Sequence, residues 1–199
     1  HFEIAKYCIK KGLPCIVEKP IALRLSEAKY IYEIAKKNKI SVLVDHIHLY
    51  NPAFEKLKQI SDEAVNIISI NSVAGSNGPF RKDIRPLWDW GVHDIAMSIN
   101  IMGSTPQVLE ASYLLKNNQK DRIGEIIQTK LLFDKQKQAI LVFGNLMTNK
   151  IRIFEVKNKN EILRYQPLLK EQLLNISNSQ NYLNYSVELE NSKLSAMEI

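Results

Sequence analysis

Three residues in the chain have types and spacings that suit proton and charge transfer: Lys19, Asp89 and His93. Asp89 and His93 stand four apart, which at a helix start puts both on one face and within reach of each other. An unperturbed imidazole titrates near neutrality, so His93 suits proton acceptance, with Asp89 binding a hydroxyl or fixing the ring. The competing reading makes Asp89 an ordinary N-cap and His93 a packing residue. Lys19 follows the apolar run Pro14-Cys15-Ile16-Val17 and precedes Pro20. A lysine at the carboxyl end of a parallel strand points into the crevice where α/β sheets bind ligands. A surface lysine before a turn-forming proline has the same local sequence.

Two further groups are candidates. His46 and His48 flank Ile47 at strand spacing beside Asp45, so both imidazoles fall on one side of the chain. With Asp89 and His93 they would resemble a zinc ligand set, but no spacing enforces one, and the expectation is no metal and a pair lining a domain junction. Arg81, Lys82 and Arg85 sit on a loop containing Gly78 and Pro79. They either contact a carboxylate or phosphate of a substrate or belong to a solvated loop.

These residues need a scaffold. Phe2, Ile4, Ala5, Cys8 and Ile9 recur at helical spacing up to Gly12. The Pro14–Val17 run reads as a buried strand. Ser26 can cap a second helix with Ile31, Ile34 and Ala35 on one face, and Ile40 to Val44 is the next strand. Helix, strand, helix and strand joined by short loops form a βαβ rhythm, which implies a parallel sheet layered with helices. Beyond His48 the pattern changes. A helix starts at Asn51-Pro52 with Phe54, Leu57 and Ile60, and another covers Trp90 to Met102, closed by Gly103 and Pro106. Strands are expected at Asn66–Val73, Gln107–Leu115, Ile126–Phe133, Ala139–Leu146 and Lys150–Val156. In the third, Ile127, Thr129, Leu131 and Phe133 alternate with a wetter set. The Asn- and Ser-rich stretch from Asn175 to Ser192 reads as loop.

The expected fold is therefore α/β: residues 1–47 as the C-terminal part of a Rossmann-type dinucleotide-binding domain, and residues 48–199 as an α+β substrate domain with a large, mainly antiparallel sheet. No G-x-G-x-x-G follows a strand, so the phosphate-binding half of such a domain is expected to precede His1. The chain has 199 residues, 45% hydrophobic and 24% charged, and a net charge of +6, which fits a globular protein. Its lysines are dispersed, with neither a basic stripe interleaved with aromatics nor a nucleic-acid motif. The run from His1 to Lys11 is charged and amphipathic, unlike a signal peptide, and no long apolar span exists. Cys8 and Cys15 form no CxxC pair. The expectation is a cytoplasmic protein with reduced thiols and no nucleic-acid or membrane partner.

Glu18-Lys19-Pro20 after a buried strand resembles the E-K-P motif of the Gfo/Idh/MocA oxidoreductases, and Asp89 to His93, within Leu87-Trp88-Asp89-Trp90-Gly91-Val92-His93-Asp94, resembles the family's D-x-x-x-H segment. His1, Asn51-Pro52-Ala53-Phe54 and Lys193-Leu194-Ser195-Ala196-Met197-Glu198-Ile199 are lesser similarities. The resemblance implies hydride transfer between NAD or NADP and a hydroxyl of a sugar or sugar derivative, a nucleotide sugar among them. That chemistry needs a base, a group that stabilises the alkoxide, and a nicotinamide held close to the carbon. It implies Lys19, Asp89 and His93 as catalytic residues, Glu18, Lys19 and Pro20 beside the cofactor, and His48, Arg81, Arg85 and Asp89 beside the substrate. The 199 residues alone are expected to be inactive without a glycine-rich loop. A non-catalytic relative acting as a ligand-binding or interaction module is the alternative. A broad sheet with one face needing cover implies a homo-oligomer through the second domain.

Overall fold

The computed structural model of the chain describes residues 1–63, 67, 69–119, 122–134, 137–159, 161–170 and 172–175. Helix α1 (Phe2–Lys10) ends before Gly12, whose φ of 73° suits a residue without a Cβ. Strand β1 (Cys15–Glu18), helix α2 (Leu25–Asn38) and strand β2 (Val42–Asp45) follow. β1 and β2 pair in parallel, with Cys15 opposite Val42 and Glu18 opposite Asp45. Ala5, Ile9, Val17, Ile31 and Ala35 are buried together as the core of this unit. Ser26 does not cap α2. Arg24 holds the cap position in an extended conformation, without a side-chain cap bond, and Ser26 lies inside the first turn. Packing of Ile31 and Ala35 onto α1 sets the helix start here, over the local capping preference.

A 3-10 turn (Ile47–Tyr50) leads into helix α3 (Pro52–Glu63). Asn51 Oδ1 accepts the Ala53 N–H at 2.9 Å, and Pro52 takes the first helical position, where its missing N–H costs nothing. Strand β3 (Ser69–Asn77) precedes a π-helical turn (Leu87–Gly91) and helix α4 (Val92–Met102). Then come β4 (Val108–Gln119), β5 (Arg122–Leu132), β6 (Gln138–Gly144), β7 (Leu146–Lys157), β8 (Ile162–Tyr165) and β9 (Leu173–Asn175). These seven strands make one sheet in the order β4-β5-β6-β3-β7-β8-β9. The β3–β6 pairing is parallel and the others are antiparallel.

Helices α3 and α4 cover one face. Phe54, Leu57, Met97 and Ile101 pack there with Ile70, Leu131, Leu141, Phe143, Phe154 and Tyr165. Alternation decides which residues take part: Ile127, Thr129 and Leu131 of β5 are all buried, while Gln128 and Lys130 between them are half-buried. Two departures from the expected strands share one cause. The apolar run from 139 to 146 breaks at Asn145, whose side chain accepts the Glu125 N–H at 2.9 Å and donates to the Ile123 carbonyl at 2.8 Å. β6 and β7 therefore separate, and β3 lies between them. The expected strand at Asn66–Val73 runs over 69–77, and residues 64–66 and 68 lie outside the described ones. So do the expected loop beyond Asn175 and the Lys193–Ile199 similarity.

Helix α4 was expected from Trp90; it starts at Val92 because residues 87–91 form the wider turn. Gly91 seats that turn on the sheet. A Cβ there would lie 2.6 Å from Phe143 Cζ, and Phe143 is itself fully buried. Gly91→Ala is accordingly expected to lower stability by about 1–3 kcal/mol, the usual cost of overpacking. Urea denaturation measures it. Phe143→Leu in the same background should return part of the loss, and an unchanged urea midpoint for Gly91→Ala alone would show that the turn has room to spare.

Candidate active site

Lys19 lies at the carboxyl end of β1, next to a cis peptide bond to Pro20. Its Nζ donates to the Asp89 backbone carbonyl at 2.7 Å and to Asp89 Oδ1 at 3.0 Å. The two residues are 70 apart in the chain, and their neighbours pack in different cores, Val17 in one and Leu87 and Trp90 against the other. The side chains are 16% and 26% exposed, so the pair is partly shielded from water. Asp89 reaches Lys19 because it stands in the π-helical turn, where its own N–H donates to the Arg85 carbonyl. Asp89 is therefore neither an N-cap nor the partner of His93. Its carboxylate is turned to the lysine.

His93 sits in the first turn of α4 and is 7% exposed. His48, on the 3-10 turn, presents its ring edge-on at 5.0 Å between centroids, and His46 is 6.3 Å away. The expected strand spacing of His46 and His48 does not exist, because the chain turns at Ile47. Both rings nevertheless converge on His93. Among the described residues no group of three or more His, Cys, Asp or Glu is arranged to hold a metal ion.

Burial pushes His93 down to about 3, with the Arg152 cation the next cause and His48, Lys19 and His46 adding to it. Burial followed by Arg152 and Lys19 also takes His48 to about 3, and burial lowers His46. The neutrality expected of an unperturbed imidazole is thus replaced by a much weaker base. Tyr165 hydroxyl meets His48 Nδ1 at 2.9 Å, and burial pushes that phenol up to about 12.

Behind His93 lies a second ion pair. Arg152 Nη1 donates to Asp94 Oδ1 at 2.8 Å, with the side chains 6% and 0% exposed. The guanidinium also lies over the Trp90 ring at 5.6 Å. Tyr165, Asp94 and Arg152 were not among the expected site residues. Arg152 had a signal: it shares the alternate face of β7 with Phe154 and Val156, so a charge stands where the period demands a core residue. Such a charge needs a buried partner. Tyr165 had a weaker one, because its strand is only four residues long.

The remaining candidates spread outward. Glu18 is exposed, and the Pro20 carbonyl accepts from His1 Nδ1 at 2.8 Å. Arg81 is exposed. Arg85 gives Nη1 to the buried Glu125 Oε1 at 2.8 Å and to Tyr113 hydroxyl at 3.1 Å, so one end of its fork is already committed.

Residues 1–46 match the family model GFO_IDH_MocA, described as an oxidoreductase family with an NAD-binding Rossmann fold. The chain is 27% identical over 109 residues to UDP-N-acetylglucosamine 3-dehydrogenase of Acidithiobacillus ferrooxidans, covering 53% of this chain and 34% of that one. That enzyme's structure superposes with a TM-score of 0.74 at 17% identity, covering 92% and 61% of the two chains. The crystal structure of a protein from Magnetospirillum magnetotacticum MS-1, described as an oxidoreductase, gives a TM-score of 0.84 at 30% identity, covering 92% and 60%. GenD2 from gentamicin A biosynthesis, solved in complex with NAD, gives 0.75 at 16% identity, covering 83% and 51%. The chain spans at most about half the length of the curated relatives it matches, 24% to 49%.

The depressed imidazoles make a prediction about stability. His48 and His93 have folded pKa values of about 3 against 6.5 for the free side chain. The unfolded chain therefore binds roughly two more protons than the folded one between those pH values, and stability falls as pH drops from 6.5 toward 3. Urea midpoints at pH 7, 6 and 5 should decline in the wild type. The decline should be much shallower in His48→Gln/His93→Gln, and equal slopes in the two proteins would refute the burial account.

Proposed function

We propose that the chain, whose residues 1–46 match the Gfo/Idh/MocA oxidoreductase family model, serves hydride transfer between a nicotinamide, NAD or NADP, and a hydroxyl of a sugar or sugar derivative, a nucleotide sugar among them. The observation that carries this reading is Lys19 Nζ held at 3.0 Å from Asp89 Oδ1 beside the buried His93. Two short motifs, each weak alone, meet in one place. The dehydrogenase of Acidithiobacillus ferrooxidans suggests a nucleotide sugar.

The residues suit a nicotinamide. Lys19 and Pro20 close the carboxyl end of β1, and His46 stands just past the end of β2, the strand-end crevice in which parallel sheets bind dinucleotides. Glu18, Lys19 and Pro20 would hold its ring, and a bound nicotinamide supplies the hydride acceptor or, in reverse, the donor. Lys19 is the cation for the developing alkoxide, and Asp89 keeps its ammonium in place. Fixing a donor before reaction avoids reorganisation at the moment charge appears. His93 is the proton acceptor, fully neutral at pH 7. A base this weak releases its proton readily, so as imidazolium it is a strong acid for the reductive direction. His48 lies beside the substrate, and Arg81 and Arg85 at the rim meet its phosphate or carboxylate. Arg85 keeps 48% of its side chain exposed for that purpose.

The same reading divides the chain into residues 1–47 and 48–199, in keeping with the two separate cores. It places a second copy on the sheet face away from α3 and α4, where Val73 lies between Val142 and Ile153. It also places the protein in the cytoplasm without nucleic-acid or membrane partners. The free Cys8 and Cys15 suit a reducing compartment, and no helix among the described residues is long and apolar enough to cross a membrane.

The test uses a polypeptide in which the glycine-loop half of a Rossmann domain precedes His1, assayed with NAD or NADP and UDP-sugars. Lys19→Met should lower turnover by roughly 100-fold or more, as for other preorganised charges. His93→Asn should also be slow. Because His93 stays neutral above about pH 3, turnover should show no acid limb between pH 5 and 8 that His93→Asn removes. Unchanged turnover in Lys19→Met, with cofactor affinity also unchanged, would reduce the Glu18-Lys19-Pro20 match to a structural turn.

A further inference from the structure

Tyr165 is fully buried on β8, its ring against Phe54 and His48 at 5.7 and 5.9 Å between centroids. Its hydroxyl lies 2.9 Å from His48 Nδ1. A buried phenol proton needs an acceptor, and leaving it without one costs more than the bond itself contributes. His48 Nδ1 is the acceptor present: the reverse arrangement, with Nδ1–H donating to the phenol oxygen, strands the phenol proton among the described residues.

We propose that Tyr165 is a positioning residue which donates to His48 Nδ1, fixes His48 as the tautomer protonated on Nε2, and so makes His48 the hydrogen-bond donor beside the acceptor His93. The inference deepens the oxidoreductase reading and rests on it for the identity of the acceptor. Several observations agree. Burial keeps the phenol protonated, up to about 12, and keeps His48 neutral, down to about 3, so at pH 7 one proton is shared between two uncharged groups. Imidazole nitrogens flank Cε1, so a ring that spends Nδ1 on Tyr165 has Nε2–H left for any other partner. The His48 and His93 rings meet edge to face at 88° and 5.0 Å, which brings the donor and the acceptor to one locality.

That pairing selects a chemical class. A hydroxyl both donates and accepts, whereas a carbonyl only accepts and an ammonium only donates. A donor His48 and an acceptor His93 therefore fit a polyhydroxylated substrate, whose reacting hydroxyl gives its proton to His93 while a lone pair of it or of its neighbour receives Nε2–H of His48.

Histidine side-chain 15N spectra of the chain at neutral pH test the idea. The wild type should show His48 protonated on Nε2 with Nδ1 unprotonated. Tyr165→Phe, which keeps the ring and removes only the hydroxyl, should lose the single tautomer and give a mixture. Protonation of His48 on Nδ1 in the wild type, or an unaltered Nε2–H tautomer in Tyr165→Phe, would overturn the proposal. The wild-type spectrum decides the tautomer even if the variant folds poorly. No turnover is read, so failure here leaves the Lys19 test of hydride transfer standing, and failure there leaves the tautomer as measured.

Discussion

One ammonium group joins the two halves of this structure. Lys19 belongs by sequence to the βαβ unit, yet both of its hydrogen bonds go to Asp89 in the turn before α4. A partly exposed ion pair contributes only about 0–1 kcal/mol to stability. Its importance is geometric. The bonds to a carbonyl and a carboxylate of the same residue fix Nζ in two directions, so the end of β1 and the start of α4 cannot shift independently without breaking one of them. His93 stands one turn beyond Asp89, and its distance from the lysine follows from that anchor.

Burial then decides what the imidazoles can be. His48 and His93 face a buried cation, Arg152, as well as Lys19, and a protonated ring would add a charge to a place that already holds two. Arg152 is itself tolerated because Asp94 pairs with it at 2.8 Å and the Trp90 ring lies under its plane. Removing either member of such a pair leaves an uncompensated charge in the core, which is why buried pairs are costly to break and weak evidence of stability when intact. The site thus has a fixed electrostatic rear wall from β7 and a cationic front from β1, with neutral rings between.

Much of this arrangement was legible in the chain. The run Pro14-Cys15-Ile16-Val17 and the periodicity of Ile31 and Ala35 give the observed strand and helix, but the strand expected to be buried has only Val17 in the core, with Ile16 72% exposed on the other face. Alternation in β5 likewise marks its core face. Three kinds of information were not local. The helix start at Leu25 and the π-helical turn at 87–91 are set by what the segments pack against, and Ser26 and Asp89, both plausible caps, are overruled by tertiary contacts. The break at Asn145 depends on backbone groups of Ile123 and Glu125 some 20 residues away. His46 and His48 were placed on one side by strand spacing, and they do converge, but through a turn at Ile47 that the spacing argument did not contain.

The π-helical turn shows how these non-local constraints combine. A regular helix through residues 87–94 would put Asp89 and His93 on one face, as their spacing of four suggests. The wider turn redirects Asp89 toward Lys19 and leaves His93 to His48, so two residues that the sequence couples become partners of different groups. The turn can form because Gly91 lies against the Phe143 ring with no Cβ between them, and because the Arg85 carbonyl receives the N–H groups of both Trp88 and Asp89. Arg85 is in turn pinned to the sheet by Glu125. Position in the site is therefore inherited from β5 and β6: the sheet holds Arg85 and Gly91, these hold the turn, and the turn delivers Asp89 to the lysine. π-helical insertions recur at functional sites for this reason, since an extra residue in one turn re-aims a single side chain without moving the helix that follows.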